Sequence, residues 1–504
     1  MLKEIKSRLI LKHIFGNIKK KLKLKIIKLN KNLMDKLNIG IKDFKIYQLL
    51  KEFNKAFNQN IKDNDIEKLV IKDENGENIN RVIYYIAQIG FHELKELSLI
   101  NNYLPDISEL KYAKFEKLEK LVNLSENYIS NIDVFQNINF KNLKELDLND
   151  NEIIDIKVLE NEKFNKLEIL DLGGNKLKNI DIFEKFKFNE LKELYIKECE
   201  ISDINILSKT NFDKLKILCL NENSIENIEV LQNVNFHQLK ELYLKNNKIS
   251  DINLFQNVNF ENLEILDLSC NPLIKIDIFE YVNLRNLKKL YLEKTSISNI
   301  TVLSLVKFSK FELLDLDMNW IYDINIFQIV NFKELKYLYI FNNKISDISV
   351  FEKVHFEKLE KLYLGMNYIS DISVFENVNF KNLKYLGLHY NKISNISVLQ
   401  NIKLDNLEYL YLCHNKIENI DVLEKMDFKK LKILNLSQNK IEDIDVLYNI
   451  KYKKLENLIL SNNIKIEENY YIDNFLKDLN NQIKKAYPKL KIIIHLYNDK
   501  HNIY

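Results

Sequence analysis

Between residues 94 and 463, apolar side chains recur in one fixed order. In the copy at residues 359–380, LEKLYLGMNYISDISVFENVNF, the positions Leu359, Leu362, Leu364, Asn367, Ile369, Ile372 and Phe375 spell L-x-x-L-x-L-x-x-N-x-I-x-x-I-x-x-F. The third leucine of this set returns as Leu or Ile at residues 124, 148, 172, 196 and onward to 460, fifteen times at a spacing of 24. Leu99 opens an earlier copy 25 residues before Leu124, which places one extra residue around Val122 and Asn123. Two leucines two residues apart, as at Leu362 and Leu364, face one side of a short strand, so Lys361, Tyr363 and Gly365 must face the other. Asn367 closes the strand: a buried carboxamide both donates to and accepts from neighbouring turns, and stacked copies would form an asparagine ladder. Cys199 and Thr295 take this place in two copies and can each still bond to the backbone. After the ladder position, Ser373 followed by Glu376 reads as a capping box, repeated for example at Asp133 and Gln136, Asp181 and Glu184, and Ser349 and Glu352. A short helical turn is therefore expected on the side away from the strands. Phe380, with Phe140, Phe236, Phe332 and Phe428, supplies a further apolar column, in which Leu284, Leu404 and Tyr452 substitute.

A period of 24 with this consensus resembles the leucine-rich repeat. The resemblance implies an α/β solenoid, a horseshoe or arc with a parallel sheet on the concave side and short helical turns on the convex side. It implies a binding surface without naming the ligand. Sixteen repeats then fill residues 94–466, and each unit need contact only its neighbours. Residues 61–93 read as an N-terminal cap, with a degenerate strand at Ile66, Leu69 and Ile71 and a helix over RVIYYIAQIG at residues 81–90. Residues 467–504 read as a C-terminal cap, a helix over 470–487 stopped by Pro488 and a last strand over 490–496. Both ends look capped and the array complete.

Residues 1–60 read as helices, because Leu9, Ile10, Ile14, Phe15, Ile18, Leu22, Ile26, Leu29 and Leu33 recur at three- and four-residue spacing. Over residues 6–39 this segment resembles the F-box, with Ile10, Leu11, Ile14, Phe15, Ile18, Leu22, Ile26 and Leu29 at matching intervals. It departs from that family at Ser7, where Pro is usual, and at Leu33, where Trp is frequent. The resemblance implies docking, through Ile14 and Phe15, to the adaptor of cullin-type ubiquitin ligases. The plainer reading is a helical cap over the first repeat.

Composition adds little. The net charge is +3, but residues 1–37 hold eleven Lys and one Arg against Glu4 and Asp35, about +10, so the rest of the chain is about −7. The run KKKLKLK at 19–25 is interrupted regularly by leucine and reads as a solvated helical face rather than a nuclear signal or nucleic-acid contact. No nucleic-acid partner is expected. Cys199, Cys219, Cys270 and Cys413 show no paired spacing, which suggests a reducing compartment. No apolar run reaches 18 residues, and Lys3, Lys6, Arg8 and Lys12 interrupt any signal-peptide core. A cytoplasmic protein is expected, with the nucleus as the alternative.

The sequence holds no phosphate loop, nucleophile elbow or zinc-protease motif, so no enzyme and no cofactor or metal is expected. His389 and Cys413 share a column in adjacent repeats, with His414 beside them, but Gly365 precedes and Ser437 follows, so no carboxylate completes a metal or nucleophile site. The outward strand positions are more informative. Early repeats present Glu145, Asp147, Asp171, Glu193, Glu241 and Asp267; later ones present Tyr337, Tyr339, Phe341, Tyr363, Tyr385, His389, Tyr409 and Tyr411. Cross-strand stacking that stiffens the sheet would account for the aromatic set. A partner surface is favoured, because clustered tyrosine matches hot-spot composition, with Asp147 and Asp171 steering a basic part of the ligand. The expected function is a non-enzymatic protein-binding scaffold. The alternatives are a ubiquitin-ligase substrate receptor and a surface adhesin resembling the internalins.

Overall fold

A computed structural model describes residues 41–61, 66–72, 79–121, 124–450, 454–463 and 490–493. The F-box-like segment at 6–39, with Ile14 and Phe15, lies outside the described residues, as does the closing helix expected at 470–487. The chain divides into two compact units, residues 1–177 with 185–191 and residues 178–184 with 192–504.

The first unit opens with two helices, α1 (Ile41–Ala56) and α2 (Ile79–Ile89). In α2 the residues Val82, Ile83, Ile86 and Ile89 are buried along one face, the spacing a helix needs to cover a core. Phe53 of α1 and Phe57 just past its end pack against Tyr85 of α2, with ring centroids 6.0 and 6.2 Å apart, and Phe53 also meets Phe91 at 6.3 Å. Strand Lys68–Val70 pairs in parallel with Glu96–Ser98, and strands Lys120–Leu121, Glu145–Asp147 and Ile169–Asp171 follow in sequence order. Leu121 stands opposite Leu97, 24 residues away, and opposite Leu146, 25 residues away. The extra residue therefore falls between Leu121 and Leu124, although Val122 and Asn123 themselves lie outside the described residues.

The second unit continues with short parallel strands from Glu193–Tyr195 to Lys491–Ile493, the last paired with Asn457–Ile459. In both units the middle strand residue is a buried leucine, Leu97 and Leu146 in the first, Leu242, Leu290 and Leu338 in the second. Its two neighbours face away from the core. The expected leucine-rich-repeat solenoid is what each unit builds.

The asparagine ladder has the expected chemistry. Asn391 Oδ1 accepts from the Ile369 amide at 3.0 Å, and its Nδ2 donates to the carbonyls of Leu364 at 2.9 Å and Leu388 at 3.1 Å. One side chain thus satisfies buried backbone groups in two turns, which leaving unpaired would cost about 1–3 kcal/mol each. Cys199 Sγ donates to the Lys197 carbonyl at 3.2 Å, and Thr295 Oγ1 to that of Leu292 at 2.9 Å.

The capping-box reading is corrected. The outer turns are 3₁₀ turns of three to five residues, and Ile372, the residue that precedes Ser373–Glu376, has no capping side chain. The free Ser373 amide is instead taken by Asp371 Oδ1 at 2.8 Å. Asp347, Asn395 and Asp443 do the same for Ser349, Ser397 and Asp445. Glu376 turns along the stack and accepts from Asn401 Nδ2 at 2.7 Å. A turn this short is closed by the acceptor two residues ahead of it, so the third-residue Glu or Gln is released to bond the next repeat.

One inter-repeat device was not anticipated. From Lys240 onward the residue before the strand alternates in charge, as Lys240, Glu264, Lys288, Glu312, Lys336, Glu360, Lys384, Glu408 and Lys432, whereas Lys192, Lys216 and Lys240 follow one another without alternation. Ion pairs join Lys240 to Glu264 at 3.0 Å, Lys288 to Glu264 at 2.5 Å, Lys336 to Glu312 at 3.0 Å and Lys384 to Glu360 at 2.8 Å. These partly exposed pairs contribute little individually, up to about 1 kcal/mol. Between residues 240 and 432 a stack slipped by one repeat would set lysine against lysine, so this stretch of the column specifies register more than stability.

Candidate functional site

The solvent face of the second unit's sheet carries the aromatic residues, and the parallel register aligns them. Tyr339 stands opposite Tyr363, Tyr363 opposite Gly387, and Gly387 opposite Tyr411. The Tyr339 and Tyr363 rings stack at 4.7 Å and the Tyr363 and Tyr385 rings at 4.2 Å, and Tyr385 also meets Tyr411 at 5.2 Å. Tyr385 belongs to the neighbouring column of its own strand. It enters the stack because Gly387, two residues on, leaves the place empty: a Cβ there would lie 3.1 Å from the Tyr385 ring.

The same device seats His389. A Cβ on Gly365 would lie 2.6 Å from the imidazole, so only glycine lets that ring lie across the strand. His389 there meets Phe341 at 5.5 Å and Tyr411 at 6.5 Å. Its Nδ1 is buried without a hydrogen-bond partner. Burial, and then the charge of His414, hold its pKa below the usual imidazole range. Tyr409 reaches Tyr385 at 6.3 Å, while Tyr337 has the Lys361 ammonium 5.7 Å from its ring. Seven of the eight predicted aromatic positions therefore join one layer, three outward positions deep and four repeats long. Burial raises the Tyr339 hydroxyl to about 12, and those of Tyr363, Tyr385 and Tyr411 also lie above the usual phenol value. These four hydroxyls are therefore neutral at neutral pH.

Burial raises the Cys413 thiol to about 11, which disfavours its thiolate form. Its neighbour His414 stacks on Tyr390 at 3.7 Å, extending the aromatic surface beyond the positions read from the sequence. Among the described residues no group of three or more His, Cys, Asp or Glu is placed to hold a metal ion, and no helix is long and apolar enough to cross a membrane.

The acidic residues are mostly engaged. Glu145 pairs with Lys120 at 2.6 Å in the first unit, where Asp147 and Asp171 stand opposite each other on adjacent strands. Asp147 Oδ1 accepts from the Asn149 amide at 3.0 Å and Asp171 Oδ1 from that of Gly173 at 2.9 Å. In the second unit Glu193 and Glu241 accept from the hydroxyls of Tyr195 at 3.0 Å and Tyr243 at 2.7 Å. The sequence reading passed over a later acidic group. Asp315 lies between Tyr291 and Tyr339 in the register, with Asp317 two residues on and Glu293 in the preceding repeat. Burial, aided by the neighbouring carboxylates, raises Asp315 to about 6 and Asp317 to about 8. The signal for them was present: LDLDMN at 314–319 holds two carboxylates on the outward side of one strand.

The family model for leucine-rich repeats in two copies matches residues 141–185, 237–281, 333–377, 357–401, 381–425 and 405–449. Among solved structures, an internalin of Listeria monocytogenes is 30% identical over 63% of this chain and 87% of its own, with a TM-score of 0.53. A leucine-rich-repeat protein of Leptospira interrogans is 22% identical over 83% of this chain and 98% of its own, with a TM-score of 0.62. The ectodomain of an Arabidopsis thaliana membrane receptor kinase, in complex with Casparian strip integrity factor 2, is 19% identical over 82% of this chain and 54% of its own, with a TM-score of 0.50. A search of curated proteins finds no match.

Proposed function

The chain belongs to the leucine-rich-repeat family, and from that premise we propose that it is a non-enzymatic protein-binding scaffold whose receptor surface is the solvent face of the sheet at strands Tyr337–Tyr339 to Tyr409–Tyr411. The observation that carries this reading is the aromatic layer with its two glycine seats. The leucine core is complete beneath it, so the layer is not needed to fill the interior. Stacked rings have already lost most of their rotamer freedom, so a partner that lands on them pays little additional entropy. Tyr339, Tyr363 and Tyr411 are assigned as anchors. Asp147 and Asp171 are assigned a steering role, which acts through the field and needs no contact.

The test is affinity co-purification of the partner on the full chain, followed by titration of wild type and the Tyr339→Ala/Tyr411→Ala variant. Affinity should fall by about 2 kcal/mol or more with the fold retained; unchanged affinity would make the layer a structural stiffener. A ubiquitin-ligase receptor would use the same face and add adaptor docking through Ile14 and Phe15, and no observation among the described residues favours it. The internalin likeness lends the adhesin reading a repeat type and nothing more.

A further inference from the structure

The aromatic layer ends on one side at a group of carboxylates. Strands Tyr291, Asp315 and Tyr339 are consecutive in register. The Asp315 carboxylate accepts from the Asp317 amide at 3.0 Å, and the Asp317 carboxylate from the Phe341 amide at 2.6 Å. Glu293 is met by Lys245 at 3.5 Å, and Asp267 accepts from the Ser269 amide at 2.9 Å. Asp267, Glu293, Asp315 and Asp317 thus lie within electrostatic reach of their neighbours in this group, with Lys245 as their one ion-pair cation among the described residues, where neither Asp315 nor Asp317 forms an ion pair. Both are half-buried, and the fold uses a single oxygen of each. Carboxylates drawn together without countercharge raise the energy of the free protein. A partner that brings the countercharge removes that cost.

We propose that the partner presents a basic segment to this face, with an arginine or lysine seated against Asp315 and Asp317 beside Tyr339 while neighbouring side chains lie on the tyrosine layer. The proposal rests on the protein-binding reading above and adds the chemistry of the partner. Charge complementarity selects the occupant: the exposed oxygens lack a cation, and the adjoining rings are neutral faces on which a guanidinium stacks. The donor set among the described residues does not suit a metal ion, so the cation is a side chain. A nucleic acid would meet like charge here and is excluded by the same argument.

The test is selection of a displayed random dodecapeptide library on the full chain, on Asp315→Asn/Asp317→Asn and on Tyr339→Ala/Tyr363→Ala. Asparagine keeps the oxygen that accepts the backbone amide, so the first variant should unfold no earlier than wild type. Wild type should enrich peptides containing Arg or Lys. The best synthetic peptide should lose affinity about tenfold or more when its Arg or Lys becomes Gln, and the aspartate variant should lose most of that discrimination. Peptides selected without basic enrichment, or an Arg-to-Gln change without effect on wild type, would overturn the basic partner and leave the protein-binding reading standing. Failure to select any peptide, or the same peptides selected by the tyrosine variant, would overturn both.

Discussion

Two stretches of the same sheet place tyrosine at the same strand position and treat it differently. Tyr195 and Tyr243 follow Glu193 and Glu241 by two residues, and each hydroxyl is tied to that glutamate in its own strand. Tyr339 and Tyr363 follow Tyr337 and Lys361, and their rings stack across repeats at 4.7 Å instead. A tyrosine held by its own strand closes the face off, and one stacked on the next repeat extends a neutral surface. The column position is common to both, and in the second stretch the glycines at 365 and 387 leave the room in which His389 and Tyr385 join the layer.

The comparison is sharpened most by a change that should not distinguish the two regions. Leu242→Ala and Leu338→Ala, each removing a fully buried side chain beneath one of the stretches, should both cost about 2–5 kcal/mol in chemical denaturation. A large difference between them would move the contrast from the face to the core. Partner affinity should separate the regions: Tyr339→Ala/Tyr411→Ala should lose about 2 kcal/mol or more, and Tyr195→Ala/Tyr243→Ala should lose little. Gly365→Ala should break the layer without removing a ring. The added methyl displaces His389 from its seat, at about 1–3 kcal/mol of overpacking strain, and calorimetry should show weaker partner binding with the tyrosines intact.

The smallest effect concerns Asp317, and its sign runs opposite to that of a salt-bridged carboxylate. Its folded-state pKa is raised, first by burial and then by Asp315, with Glu293 adding to it. Asp315 in turn faces Glu293, Asp267 and Lys245. The folded protein therefore holds a proton that the unfolded chain releases near pH 4, and stability falls as pH rises from there through about 8. Asp317→Asn should be more stable than wild type at pH 9, by something on the order of 1–2 kcal/mol, and equal to it at pH 4. A basic ligand favours the ionised carboxylates, so its affinity should rise with pH across the same window.

The repeat, its inward leucines and the asparagine ladder were legible because each depends on spacing alone. The extra residue near Val122 was legible for the same reason, as a slip from 24 to 25. The capping box was misread because Ser373 and Glu376 fit a helix start, while the operative acceptor, Asp371, lies two residues earlier. The tyrosine columns could be placed from spacing, but not the ring of Tyr385 crossing into the gap above Gly387, which depends on how side chains fill space between strands. With only eight glycines in the chain, two in neighbouring outward positions of one patch were the available clue. Asp315 and Asp317 do not stand out by spacing, because the lack of a counterion is a property of the folded neighbourhood.

The most direct measurement places the photo-crosslinker p-benzoylphenylalanine at residue 339 or at residue 243, the same strand position four repeats apart. After irradiation with the co-purified partner, the protein substituted at 339 should yield the covalent adduct and the protein substituted at 243 should not. Equal adducts at both positions, or an adduct at 243 alone, would contradict the assignment of the aromatic layer as the binding face.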